Sequence, residues 1–76
     1  MKTTQQSFTL REYGRSELAS CYSPGISPLS AWKKLKSWIS HSPGLDDRLA
    51  QAGYDRRQRT FTPRQVSLIV DAIGEP

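Results

Sequence analysis

The apolar positions of this chain group into four helical segments, separated by explicit stop and start residues. The clearest runs through Val66, Ile69, Val70 and Ile73, spaced i, i+3, i+4, i+7 as a core-facing stripe requires. Thr62, Pro63 and Gln65 ahead of it form a capping box with proline at the first helical position, and Phe61 and Val66 are placed as a hydrophobic staple. Gly74 and Pro76 terminate it. A second segment opens on Ser27 as cap and Pro28, and runs to about His41. At 100° per residue Leu29, Ala31, Trp32, Leu35, Trp38 and Ile39 cover one half of its wheel. Ser30, Lys33, Lys34, Ser37, Ser40 and His41 lie opposite, with Lys36 near the apolar boundary, where its stem is expected to snorkel.

Two shorter helices complete the set. Leu45, Leu49 and Ala52 predict about two turns between the break at Ser42, Pro43 and Gly44 and a left-handed cap at Gly53. Near the amino end, Ser16 as cap, Glu17 in the first turn, and Leu18 with Tyr22 on one face predict a short helix stopped by Pro24 and Gly25. The alternation of Phe8, Thr9 and Leu10 suits a very short strand, and a second is expected around Arg59 to Phe61, after the non-periodic run YDRRQRTF. Residues 1–6 are polar and uncapped and read as an arm, leaving one domain over residues 7–74. The expected fold class is mainly α: a small four-helix domain with one or two very short strands.

Composition narrows the chemistry. The chain has 76 residues and a mass of 8.6 kDa. Surface scaling for that mass leaves ~4,700 Å² exposed and buries only about 60% of the unfolded surface, so the core is thin and a deep catalytic cavity is not expected. One Cys and one His allow no internal disulfide and no Cys/His zinc site. Lys2 has no apolar run behind it and no long apolar stretch occurs, so neither signal peptide nor membrane span is expected. A cytoplasmic, metal-free protein without a small-molecule cofactor fits this inventory.

Enzyme readings lack parts. Cys21 and His41 are the only thiol and imidazole, and nothing supplies a third group to orient them; Cys21 reads as a small packed or half-exposed residue and His41 as a helix-end cation. Asp46 and Asp47 favour a helix start over acid–base work, and the five glycines sit at element ends rather than in a phosphate loop. Trp32 and Trp38 offer stacking faces for bases, but their place among Leu29, Leu35 and Ile39 favours core packing, with Trp38 at the edge. Charge carries the functional weight: 11 Lys plus Arg stand against 7 Asp plus Glu, a net +4. Ser30, Lys33, Lys34 and Ser37 form a helix face suited to a groove of DNA, and Arg56, Arg57, Arg59 and Arg64 are suited to phosphates.

The order of parts, with SELASCY, AWKKLKSWI, YDRRQRTF and FTPRQVSLIVDAIG, resembles the winged helix-turn-helix domains of mercury-resistance-regulator and phage-excisionase type. Glu17, Leu18 and Ala19 match the helix that leads into the recognition helix there, and Phe61, Thr62, Gln65 and Val66 match the closing helix. The resemblance implies a DNA-binding role for the helix from Pro28 and a basic wing at Arg56 to Arg59. Two prolines in the turn SPGISP, and the extra helix at Leu45 to Ala52, depart from that pattern. Over nearly its full length, through YGRSELA, SPLSAWKKLKSWI, SPGL and FTPRQVSLIVDAIGEP, the chain is also similar to a family of small bacterial proteins known only as a domain of unknown function. The expected function is therefore non-enzymatic DNA binding, with a second copy or a neighbouring protein adding specificity. The alternative is a protein-interaction module anchored on Trp38 and Tyr54. Deep burial of Trp38 favours the first and its exposure beside Tyr54 the second.

Overall fold

A computed structural model describes residues 8–76; the arm expected over residues 1–6 lies outside the described residues. The order is β1 (Tyr13–Gly14), α1 (Arg15–Tyr22), α2 (Pro28–His41), α3 (Leu45–Gln51), β2 (Thr60–Phe61) and α4 (Pro63–Ile73). The fold is thus mainly helical, four helices with one small antiparallel sheet, and its surface of 4847 Å² is close to the value expected from mass.

Two starts follow the caps in the sequence, and a third follows the helix break. The Ser27 hydroxyl accepts the Ser30 amide at 3.2 Å, and Pro28 opens α2. At α4 the Gln65 amide donates to Thr62 Oγ1 at 3.2 Å while the Thr62 amide donates to Gln65 Oε1 at 3.1 Å, closing the capping box. Gly44, with φ of 77°, makes the left-handed turn into α3, a conformation that costs a side-chain-bearing residue about 1 kcal/mol or more.

Two expectations at the amino end are corrected. Phe8 to Leu10 form no strand; the strand is Tyr13–Gly14, paired antiparallel to β2 with Tyr13 opposite Phe61 and Gly14 opposite Thr60. Tyr13 and Phe61 are both buried, and burying that pair fixes the register. Phe8 instead stacks on the Tyr13 ring at 5.1 Å. Helix α1 starts one residue before Ser16, on Gly14 as cap, and the Gly14 amide donates to Glu17 Oε1 at 3.0 Å. A further tie, the Arg15 amide donating to the Arg59 carbonyl at 2.9 Å, extends the ladder into the helix. Arg59 itself lies outside β2.

The core joins all the elements: Tyr13 from β1, Leu18 and Ala19 from α1, Ala31, Trp32, Leu35 and Ile39 from α2, Leu45 and Leu49 from α3, Phe61 from β2, and Val66 and Ile69 from α4. Leu29 corrects the wheel, being 63% exposed in the first turn of α2, at the margin of the buried arc. Gln65 is the one buried polar side chain among the described residues, 1% exposed, and both its side-chain oxygen and its nitrogen have partners. Its Oε1 accepts from Thr62 N and from Gln58 Nε2 at 2.6 Å, and its Nε2 donates to the Ala52 carbonyl at 3.1 Å. One amide therefore binds α4, the end of α3 and the loop before β2 together.

Candidate functional site

The segment expected to act as a wing is a single closed turn. The Gln58 amide donates to the Asp55 carbonyl at 2.8 Å, and the Asp55 amide donates to Gln58 Oε1 at 3.2 Å. Within it the Arg57 amide donates to Asp55 Oδ1 at 2.8 Å, an Asx turn that fixes Arg56 and Arg57 at the tip. That amide and the Arg57 guanidinium, 3.5 Å away, hold the exposed Asp55 carboxyl below its ordinary range. Gln58 reaches the buried Gln65 at the same time, so the turn is pinned to the core through one side chain.

This turn forms one wall of a groove of about 1090 Å³. Arg56 and Arg57 come from the turn, Arg15 from the first position of α1, and Lys36 and Ser40, one helical turn apart, from α2. Trp32, Ile39 and Tyr54 supply apolar lining, and Asp46 at the start of α3 joins Asp55 as the acids. Four cations less two carboxylates leave the groove formally at +2.

The aromatic lining is largely occupied. Trp32 is 6% exposed and carries the Arg15 guanidinium 5.1 Å above its ring, while Tyr54 stacks on Phe61 at 5.3 Å. Burial pushes the Tyr54 phenol up, with nearby Arg15 acting in the opposite sense. The groove therefore presents charge more than open stacking platforms.

Of the eight residues expected to face a ligand, the structure brings only Arg56 and Arg57 to this groove. Ser30 is engaged in the cap of α2, its hydroxyl accepting from Ser27 at 3.0 Å. Lys33 and Ser37 are exposed on α2 outside the groove, and Arg59 and Arg64 are exposed elsewhere. Lys34 turns to the other flank, its ammonium 5.5 Å from the Trp38 ring. The expected face is divided because consecutive residues diverge by 100° around a helix, which sends Lys33 and Lys34 to different sides. Arg15 and Lys36 join the groove without a functional signal in the sequence beyond the position of Lys36 beside the apolar arc.

Trp38 meets neither expectation set for it. It is half-buried, edge-on to Tyr22 at 6.1 Å, and lies on a second groove of about 500 Å³ with Tyr22, His41, Ser42, Ile73 and Glu75, away from Tyr54. There the Tyr22 hydroxyl donates to the Gly74 carbonyl, and burial raises its pKa to about 12. At the end of α2, His41 Nδ1 is 2.7 Å from the Ser37 carbonyl, in keeping with a helix-end role, and Cys21 is exposed.

The fold and the groove define a small, mainly helical domain with a basic cleft between α1, α2 and one arginine turn. Residues 9–76 match the model of the domain of unknown function DUF4248, and the chain belongs to that family. No curated protein and no solved structure matches it. Among the described residues, no helix is long and apolar enough to cross a membrane.

Proposed function

We propose that this chain is a non-enzymatic DNA-binding domain that seats a duplex backbone across the groove between Arg15, Lys36, Arg56 and Arg57. The supporting observation is convergence: four cations from three separate segments meet on one groove, and only Arg57 among them has an ion-pair partner among the described residues. That pair, at 3.5 Å with the guanidinium side chain 92% exposed, is weak enough to yield to phosphate. Occupied aromatic faces favour phosphate contacts over base stacking. Lys33 on the same helix and Arg59 beside the turn extend the positive surface to phosphates further along.

The test is a fluorescence-anisotropy titration of a 20-base-pair mixed-sequence duplex at several salt concentrations. Four phosphate contacts give a log–log slope of about −3.6, or a loss of about 150-fold in affinity between 50 and 200 mM salt. K36A and R57A each reduce that slope by about 0.9. Affinity independent of salt, or slopes unchanged in both variants, overturns the reading. A second reading, a protein-interaction module, rests on the half-buried Trp38 in the other groove, and it predicts salt-tolerant association that W38A removes.

A further inference from the structure

Arg15 differs from the other cations of the groove in how it is held. Its backbone is fixed, since its amide donates to the Arg59 carbonyl at 2.9 Å and joins the start of α1 to the strand pair. Its guanidinium rests 5.1 Å from the centre of the Trp32 ring, and Trp32 is itself 6% exposed in the core. Asp46 and Asp55 share the groove, yet neither forms an ion pair with Arg15, and no other described residue does. Arg56 and Arg57, by contrast, project from an exposed turn, and Lys36 is a single point charge on an exposed stem.

A guanidinium held against an aromatic ring loses little of its hydrogen-bonding capacity. Its donors lie in the guanidinium plane, so the ring restrains the group while the N–H edges stay available for two parallel bonds to phosphate oxygens. Restraint before binding lowers the ordering cost of the contact, which an exposed lysine or arginine meets in full.

We infer that Arg15 is the orienting contact of the site, a bidentate clamp on one phosphodiester group of the duplex, with Trp32 as the residue that positions it. The inference rests on the DNA-binding reading above and adds a claim of geometry to one of charge. All four cations supply counterion release; Arg15 in addition sets where the backbone sits.

The experiment compares R15K with the wild-type protein in the duplex titration. Lysine keeps the charge, so the salt slope stays the same, while loss of the two-pronged contact weakens binding about tenfold at every salt concentration. The backbone tie to Arg59 is retained in R15K, and far-UV circular dichroism confirms the fold. A W38F background leaves Trp32 as the only tryptophan of the two, and its emission shifts with duplex binding when Arg15 is present but not in R15K. An independent measurement on the unmutated protein follows the Arg15 Nε–Hε resonance, which shifts and sharpens on addition of duplex. Equal affinity of R15K and wild type, or an Arg15 Nε–Hε signal unmoved by saturating duplex, overturns the clamp while leaving the groove reading standing. No duplex binding by the wild-type protein overturns both.

Discussion

Replacing Gln65 with alanine removes the one amide that ties α4, the end of α3 and the arginine turn together. Three side-chain hydrogen bonds disappear: those from Thr62 N at 3.1 Å and Gln58 Nε2 at 2.6 Å, and that to the Ala52 carbonyl at 3.1 Å. At about 1 kcal/mol each the direct loss is ~3 kcal/mol, and partners left unsatisfied in a partly closed site add to it. A domain of this size has roughly 4–11 kcal/mol in total, so the substitution consumes a large share. The midpoint of thermal unfolding should fall by about 12–24 °C, at 4–8 °C per kcal/mol. Gln58→Ala leaves the Thr62 and Ala52 bonds in place but removes three of its own, from the Asp55 amide and to the Thr60 carbonyl and Gln65 Oε1, so at the same rate it should cost up to about 3 kcal/mol while loosening the turn that carries Arg56 and Arg57. Calorimetry or a circular-dichroism melt reads both. A Q65A penalty below about 1 kcal/mol refutes the view that this amide is the structural junction.

Other expectations follow from burial and charge. Leu35→Ala, at a fully buried position, should cost about 2–5 kcal/mol, whereas Leu29→Ala, 63% exposed, should change stability by less than about 0.5 kcal/mol; chemical denaturation of the two variants checks this. Tyr22 has a folded-state pKa raised by burial from 10.0 to about 12, so its contribution is fully present below pH 10 and is lost as pH rises through 12. Stability measured across that window should decline less steeply in Y22F, and identical pH profiles refute the assignment.

The helices were legible where local chemistry decides them. Ser27 with Pro28, and Thr62 with Pro63 and Gln65, marked the starts of α2 and α4 because capping involves neighbours within three residues. The strand was misplaced because Tyr13 pairs with Phe61 across most of the chain, and Phe8 to Leu10 alternate as well as any strand. A two-residue ladder has no periodicity to read, and only the packing of the helices brings its halves together. The site was half legible for the same reason. Arg56 and Arg57 stood out as a run, but Arg15 joins them only because β1 abuts β2, and Lys36 only because α2 turns that flank to the loop. Gln65 was read as a cap, and its second role toward Ala52 and Gln58 depends on tertiary contacts.

The most direct test of the groove as a DNA-facing surface is the map of backbone amide NMR shifts in ¹⁵N-labelled protein as a short duplex is added at low salt. Shifts should concentrate on Arg15, Lys36, Ser40 and the Tyr54 to Arg57 segment and reverse as salt is raised. Shifts confined to the surface around Trp38, His41 and Ile73, or no shifts at high duplex concentration, would contradict the account.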